Sequence, residues 1–324
     1  MSLATFFLVF TFINFLAITF NIFLFILIFK LNDKTRHPTI YIYNTIIANT
    51  LDTFFIFITF LLPLIFDEKL YIVFRNVFGS TLTFVCTFFY EHVFYLTLPM
   101  IIHRCWLICH PESKAFVGWK LWTICGVLAA ISLIFLLIPY LSSCPVNINQ
   151  RAFDFAVDCE QKHPLTQFQN DFLFVIPLLS FVLNIVVVLY LAQKRGEALR
   201  RRRLNVVSIS STSNVHQLPP LVTRSKTRQM YEQSLLRQSL FTTLFSLIYE
   251  LSGFLLRFFR KDYQALSEDT QRLILYARLC LSSLLCFLVF FVGTPAIRKL
   301  VITKVKEILR GKTGHRSPTA TVLV

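Results

Sequence analysis

The chain consists of long apolar blocks separated by short polar segments. None of the blocks shows the alternating or 3.6-residue pattern expected of an element in a water-soluble fold. A run of about 18 or more apolar residues predicts a helix that crosses a bilayer, because roughly 20 residues at about 1.5 Å each cover about 30 Å of hydrocarbon. We number the blocks as spans 1 to 7, and they cover residues 5–29, 40–66, 78–102, 121–143, 169–193, 236–258 and 272–296.

The composition supports this assignment and excludes a water-soluble fold. Of the 324 residues, 55% are hydrophobic, 36 are phenylalanine and only 15% are charged. A soluble domain of this size has no interior large enough for so much apolar surface. In lipid a segment must satisfy its own backbone hydrogen bonds, so blocks of this length form helices. The sequence therefore predicts an all-α membrane protein built as a seven-transmembrane helix bundle.

The two ends of the chain complete the predicted organisation. Span 1 has no basic segment before it and no small-residue cleavage motif after it, so we interpret it as a retained first helix and not as a signal peptide. After the seven-helix domain of residues 1–296, the tail 297–324 begins with a short amphipathic helix that we expect to lie on the inner leaflet. The apolar face of this helix consists of Ile297, Leu300, Val301, Val305 and Leu309.

The net charge of +15 comes from one set of connections. If the N-terminus is outside, the inner connections are residues 30–39, 103–120, 194–235 and the tail from 297. Together with Arg237 they hold 23 of the 32 lysines and arginines but only 5 of the 17 acids, whereas the outer connections hold 8 basic and 9 acidic residues. This positive-inside pattern predicts a multi-pass plasma-membrane protein with a cytoplasmic C-terminus, and it removes the need for a nucleic-acid partner.

The third inner connection, residues 194–235, is the longest. It carries "RRRR" at 200–203 and "SISSTS" at 208–213. Few apolar residues and no periodicity predict that its middle is disordered. The arginines suit a topology anchor beside anionic lipid, a role that is compatible with partner binding. The serines and threonines are either phosphorylation sites or low-complexity filler.

Two of the eight cysteines clearly face the oxidising side in this topology. Cys144 and Cys159 lie in the second outer connection, residues 144–168. A disulfide between them would close a loop of about 15 residues and contribute up to about 3 kcal/mol. The alternative is that both are unpaired. The other six cysteines are expected to be reduced thiols.

Ionisable residues within the spans are functional candidates, because each costs about 2.5–3.5 kcal/mol at the bilayer centre. They are Asp52, Glu91, His92, Glu250 and Arg278. In one interpretation Glu91 and Glu250 line a ligand cavity with Arg278 as counter-ion. In the other they are buried packing pairs or partly neutral carboxyls. The sequence has no clustered metal ligands and no catalytic spacing, so no catalytic, metal or cofactor site is predicted.

The segment "HRCWLICHP" at the end of span 3 resembles the "DRYxxIxxP" signature of rhodopsin-like G-protein-coupled receptors. Arg104, Ile108 and Pro111 match this signature, while His103 and Cys105 replace its acid and its tyrosine. Weaker matches occur on four other spans. The matching positions are Asn21 on span 1, Asn44 and Asn49 on span 2, Pro177 on span 5, and Thr294, Pro295 and Arg298 on span 7.

Several positions depart from the rhodopsin-like pattern, and these departures indicate a particular group of receptors. Span 6 has neither the tryptophan nor the proline of rhodopsin-like receptors. Gly79 lies near the outer end of span 3, where those receptors have the cysteine that anchors their second outer loop. A phenylalanine-rich chain of this length with a very short N-terminus and eroded motifs is similar to the nematode serpentine chemoreceptors, of class XA or a neighbouring class such as BC.

This resemblance implies a chemosensory receptor that binds a small molecule and activates a heterotrimeric G protein. The residues that it assigns to coupling are His103, Arg104, Cys105, Pro111, Pro295 and Arg298. Because His103 cannot restrain Arg104 as an acid would, we expect a weaker restraint or another source, such as Glu232. Asp52, three residues beyond Asn49, is a candidate substitute for the sodium-binding acid of those receptors.

Two other classes compete with the receptor. A transporter or ligand-gated channel would favour broken helices and related halves, and the sequence contains no internal repeat. A membrane metal hydrolase would need clustered ligands, and His92 is the only histidine clearly within a span. Both patterns favour the receptor over its rivals.

Overall fold

The computed structural model of the protein describes residues 3–31, 39–110, 118–149, 154–157, 163–209 and 221–310. Within these residues the chain is helical apart from turns and one hairpin. The α-helices are α1 (Leu3–Leu31), α2 (Thr39–Ile56), α3 (Glu68–Phe74), α4 (Ser80–Tyr95), α5 (Thr97–Cys109), α6 (Trp119–Leu141), α7 (Pro164–Phe172), α8 (Val175–Ile209), α9 (Leu221–Phe258), α10 (Arg260–Gln264), α11 (Glu268–Ser283) and α12 (Pro295–Leu309).

In the described part of the chain, six helical stretches are long and apolar enough to cross a membrane. They are Thr5–Lys30, Ile40–Ile65, Glu68–Trp106, Trp119–Leu141, Pro164–Lys194 and Leu236–Phe258. Span 7 consists of two parts, the helix α11 and a π-helical turn at Phe287–Val292. A break at Leu284 separates them. Together these segments form the seven-helix bundle that the sequence predicted.

The burial pattern is the inverse of that of a water-soluble protein. On span 1, Phe12, Phe15 and Phe29 are 61–69% exposed, whereas Asn14 and Asn21 are at most 2% exposed. Large apolar side chains on the outer surface fit a lipid environment, where no water penalises them. The polar side chains therefore point into the bundle, and the functional candidates are found there.

Spans 2 and 3, like span 7, change helix type along their length. Span 2 passes from α2 into a π-helical turn at Phe57–Leu61 and a 3₁₀ turn at Leu62–Ile65. The helical stretch Glu68–Trp106, which includes span 3, contains a π-helical turn at Arg75–Gly79 and a second irregularity at Leu96. Pro99 explains the latter, because proline has no N–H to donate to the carbonyl of the residue four positions earlier.

The connection between spans 5 and 6 is more helical than the sequence analysis expected. The helix α8 continues to Ile209, and α9 begins at Leu221. Both helices therefore extend into the segment 194–235. The remaining residues 210–220, where disorder was predicted, lie outside the described part of the chain.

The segment between spans 4 and 5 forms an antiparallel hairpin. Strand β1 (Val146–Asn149) pairs with β2 (Asp154–Val157), with Asn147 opposite Ala156. Cys144, just before β1, is disulfide-bonded, and its predicted partner Cys159 lies outside the described residues. The other six cysteines are free thiols, as predicted.

The predicted amphipathic helix after span 7 is α12. Val301 is 6% exposed, and Ile297 and Leu300 pack against the same core cluster. Val305 and Leu309 are 39% and 80% exposed, so only the first half of the predicted apolar face packs on the bundle. The exposed second half keeps the amphipathic character that suits a membrane surface.

Candidate functional site

Asn49 joins three spans near the centre of the bundle and bridges the break in span 7. Its side-chain Oδ1 accepts from Asn21 Nδ2 at 3.1 Å and from the backbone N–H of Cys286 at 3.4 Å. Its Nδ2 donates to the carbonyl of Ser282 at 2.8 Å. In an uninterrupted α-helix, Cys286 N–H would bond to the Ser282 carbonyl directly. The amide of Asn49 therefore replaces the backbone hydrogen bond that the break removes.

Asp52 extends this polar centre towards span 3. Its carboxylate accepts from the Ser282 hydroxyl at 2.9 Å and from the Cys86 thiol at 3.7 Å, and it is 2% exposed. The predicted ligand candidate Asp52 thus contacts spans 3 and 7. Of the predicted polar core, Asn44 lies apart, because it is half-buried and donates to the Ile40 carbonyl of its own helix at 2.8 Å.

A second buried cluster lies between spans 3, 6 and 7. The carboxylate of Glu250, which is 2% exposed, accepts a hydrogen bond from the Tyr90 hydroxyl. The ring of Tyr90 packs against Tyr249 at a centroid distance of 5.5 Å. The guanidinium of Arg278 lies 5.0 Å from the centroid of Tyr249 and acts electrostatically on Glu250. We call Tyr90, Tyr249, Glu250 and Arg278 the Glu250 cluster.

A glycine makes room for the arginine of this cluster. A Cβ atom added at Gly253 would lie 2.5 Å from one terminal nitrogen of Arg278 and 3.1 Å from its Cζ. The guanidinium therefore packs on the bare backbone of span 6, one helical turn from Glu250. The combination of a buried acid, a cation and two tyrosine rings can bind a small polar molecule by hydrogen bonding and cation–π contact.

Glu91 and His92, the other predicted ligand residues, face different neighbours. Glu91 is 3% exposed and accepts from Tyr95 at 3.1 Å and from Gln169 Nε2 at 3.4 Å. Gln169 belongs to α7, at the start of span 5. His92 stacks on the ring of Phe88 at a centroid distance of 6.1 Å. The structure thus places Glu91 beside the Glu250 cluster and gives His92 an aromatic packing contact.

A buried polar seam between spans 3, 5 and 6 was missed by the sequence analysis. Asn184 donates to the Thr243 hydroxyl at 3.0 Å and to the Ser180 carbonyl at 3.1 Å, and the hydroxyls of Thr97 and Ser180 lie 3.3 Å apart. All four residues are at most 1% exposed. Ser180 and Asn184, one turn apart within an apolar block, are the signal that could have indicated it. We call these four residues the Thr243 seam.

Arg104 lies inside the bundle and not in water. His103 and Arg104 are each 5% exposed, although the positive-inside pattern places them in the inner connection 103–120, where a side chain could reach water. Tyr41 of span 2 lies beside both residues. Its ring is 5.8 Å from that of His103, and Arg104 acts electrostatically on its phenol. We call the end of the bundle that carries these residues the Arg104 end.

The remaining coupling candidates are spread around the Arg104 end. Cys105 is half-buried, and Pro295 and Arg298 are exposed on the first turn of α12. Pro111 lies outside the described residues, as does the side chain of Glu232. Among the described residues, no three His, Cys, Asp or Glu side chains group as metal ligands would.

Comparison with known proteins identifies relatives of the whole arrangement. The family described as Caenorhabditis serpentine receptor-like protein, class xa, matches residues 36–185. Serpentine receptor class XA 10 of Caenorhabditis elegans is 28% identical over 280 residues, which are 86% of this chain and 83% of that protein. Both descriptions name a serpentine receptor or a receptor-like protein. The chain is therefore similar, over most of its length, to a nematode serpentine receptor of class XA, which confirms the resemblance that its motifs indicated.

Proposed function

We propose that the protein is a chemosensory G-protein-coupled receptor of the plasma membrane, which binds a small molecule at the Glu250 cluster and activates a heterotrimeric G protein at the Arg104 end. The observation that carries the proposal is the arrangement along span 3. Tyr90, Thr97 and Arg104 follow each other at seven-residue intervals, which is about two helical turns and one helix face. Tyr90 contacts Glu250, Thr97 belongs to the Thr243 seam, and Arg104 is buried at the coupling end.

The mechanism is a shift between two populations of the bundle. In the described state Arg104 is buried, so a G protein has no access to it. A ligand that competes for Glu250 would weaken the hydrogen bond between spans 3 and 6 and favour a state in which the Thr243 seam rearranges. Span 6 could then move and expose Arg104. The excess of basic residues at the Arg104 end supports a cytoplasmic position for that end, with the N-terminus outside.

The proposal is tested by expressing the full chain with a G-protein activation readout against pools of small volatile and water-soluble compounds. At least one pool is expected to activate the parent receptor. The Arg104→Ala variant is expected to lower that activation roughly thirtyfold, as for loss of a central contact in an interface. Arg310→Ala, at the exposed end of α12, is the matched control and should retain it. Parent-level activation by Arg104→Ala at equal surface expression would contradict the assigned role.

The position of Arg278 is tested by filling the space at Gly253. In the Gly253→Ala variant the new methyl group displaces the end of a flexible side chain, so we expect normal folding but a guanidinium moved away from Tyr249 and Glu250. The concentration of the activating compound for half-maximal response should rise roughly tenfold. Gly126→Ala is the control, because a Cβ atom there meets nothing within 4 Å. An unchanged concentration would remove Arg278 from the site.

A transporter is the second candidate, because spans 2, 3 and 7 are interrupted. In transporters the freed backbone groups of broken helices bind the substrate or its coupling ion. Here two of these groups bind side chains of the protein itself: the Ser282 carbonyl accepts from Asn49 and the Phe60 carbonyl accepts from Tyr276. These occupied groups favour the receptor. Uptake of the activating compound by cells that express Arg104→Ala would favour the transporter instead.

A further inference from the structure

The hairpin between spans 4 and 5 packs against the helix of span 3, and Asn147 makes a polar contact there. The side chain of Asn147 on β1 is 7% exposed and donates to the carbonyl of Arg75 at 3.3 Å. This carbonyl belongs to the π-helical turn Arg75–Gly79, and its two lone pairs allow it to accept from a side chain. The contact therefore joins the irregular start of the span 3 helix to a polar side chain of the hairpin.

Gly79, at the end of the same turn, is shaped to receive Asn147. A Cβ atom added at Gly79 would lie 2.3 Å from Asn147 Oδ1 and 3.0 Å from its Cγ. The first distance is shorter than real carbon contacts allow and the second is unusually tight, so a side chain at position 79 would displace the end of the asparagine side chain. The Thr83 hydroxyl binds the Gly79 carbonyl at 2.7 Å and ties the turn to α4.

The helix α7 also contacts span 3, further into the bundle. After β2 the chain reaches α7, whose Gln169 donates to the Glu91 carboxylate at 3.4 Å. Gly79 and Glu91 are separated by twelve residues, or roughly 18 Å along the helix. Strand β1 and helix α7 thus contact the helix of span 3 at two positions along its length. The contact deeper in the bundle is that of α7 with Glu91, an acid beside the Glu250 cluster.

The end of span 4 gives the hairpin a fixed starting point. Tyr140 forms a hydrogen bond with the Thr81 hydroxyl at 2.9 Å, and its ring lies 4.8 Å from that of Phe84. From this point β1 begins six residues later. The direction in which the hairpin leaves α6 is then set by where Asn147 docks.

We propose that Asn147 seated on Gly79 is a noncovalent anchor that positions the strands β1 and β2 and, through them, α7 at the start of span 5, so that α7 lies on the bundle and Gln169 meets Glu91. Asn147 is a positioning residue, and Gly79 is its seat. The proposal rests on the proposed function only in treating Glu91 as part of a ligand site. The docking itself is independent of ligand and of G protein.

The test measures how well α7 covers the bundle, by labelling with a charged maleimide that does not cross membranes, applied to intact cells. Leu165, Thr166, Gln169 and Asn170 are half-buried and mark the packed face of α7, while Gln167 is exposed. A cysteine is introduced at Asn170 as the reporter, because this leaves Gln169 in place. A cysteine at Gln167 reports general reactivity.

Gly79→Ala and Asn147→Ala are each expected to raise the labelling rate of the Asn170→Cys reporter roughly tenfold, the factor typical of losing one buried hydrogen bond. The rate at the Gln167→Cys reporter should not change. Val146→Ala is the matched control on β1, because neighbouring strand residues face opposite sides, and Gly126→Ala is the control for a glycine in open space.

Unchanged labelling of the Asn170→Cys reporter in both Gly79→Ala and Asn147→Ala would overturn the anchor. Equal increases in the Val146→Ala control would also overturn it, since the hairpin as a whole would then be responsible. Asn147→Ala introduces no clash, so it remains informative if Gly79→Ala folds poorly. Because no ligand or G protein is used, the anchor and the proposed function can fail independently.

Discussion

Replacing Asn49 with alanine is expected to lower the free energy of unfolding by about 3 kcal/mol. The substitution removes the partner of Asn21 and both hydrogen bonds that bridge the break in span 7. It leaves the Ser282 carbonyl and the Cys286 N–H without the amide that satisfies them. In a bilayer no bulk water replaces that amide, so the loss exceeds the value for an ordinary interhelical hydrogen bond. The measurement is thermal unfolding of the purified protein in detergent.

Asn44 offers a matched control for this experiment. It is the same residue type on the same helix, but it is half-buried and donates to the carbonyl of Ile40 in its own helix. Asn44→Ala should therefore change the free energy of unfolding by less than about 1 kcal/mol. Equal losses in the Asn44→Ala and Asn49→Ala variants would show that bridging span 7 has no special role. A further check is Asn21→Ala, which removes one of the three contacts and should give an intermediate loss.

The Glu250→Gln variant is expected to raise the half-maximal concentration of an activating compound by on the order of a hundredfold. Glutamine keeps the shape of the side chain, and its carbonyl oxygen can still accept from the Tyr90 hydroxyl. Only the negative charge is lost, which leaves the Arg278 cation uncompensated within the cluster. Arg278 is half-buried, so its long side chain can reach a polar boundary and the fold should survive. The readout is the G-protein activation curve at matched surface expression.

Glu91→Gln is the comparison for this result. Its described hydrogen-bond partners, Tyr95 and Gln169, are neutral, so loss of the charge should weaken the response by a smaller factor, roughly tenfold. Unchanged activation curves in both the Glu91→Gln and Glu250→Gln variants would contradict the proposed ligand site. A large rise in the half-maximal concentration for Glu91→Gln with no change for Glu250→Gln would place the ligand site at the contact between Glu91 and α7, away from span 6.

The span assignment could be predicted because lipid allows few solutions. Uninterrupted apolar blocks longer than the bilayer is thick can only be helices, and their number gives the bundle. The polar centre was predicted in part for the same reason. Asn21, Asn49 and Asp52 stand out within apolar blocks, and they are 1–2% exposed inside the bundle. The hydropathy pattern did not separate Asn44 from Asn49, although only Asn49 reaches another span through a described hydrogen bond.

The Thr243 seam and the contact between Gly79 and Asn147 could not be predicted from the sequence. Single serines, threonines and glycines are common in membrane helices, and each becomes informative only when its neighbour from another span is known. Thr97, Ser180 and Thr243 are distant in sequence, and they meet because spans 3, 5 and 6 pack side by side. Gly79 could be recognised as lying where a cysteine was expected, but its fit to Asn147 required the hairpin.

The burial of Arg104 shows a limit of the charge argument. Positive-inside counting places an arginine at one face of the membrane, but it does not decide whether the side chain points outwards or into the bundle. Tyr41, on the next span, lies against His103 and within electrostatic range of Arg104. A tyrosine near the start of an apolar block does not indicate in the sequence that it will contact these two residues. The contact of Tyr41 with His103 and Arg104 became visible only in the packing of spans 2 and 3.

By itself the sequence determined that the chain crosses a membrane as seven helices, and it indicated the family and the buried charges that make candidate sites. These properties depend on local composition, because the bilayer acts on each segment separately. Tertiary structure alone decided which buried groups meet: Asn49 on the break in span 7, Glu250 on Tyr90 and Asn147 on Gly79. Such pairs form between residues far apart in the chain, where hydrogen-bond geometry and the space left by a glycine determine the partner.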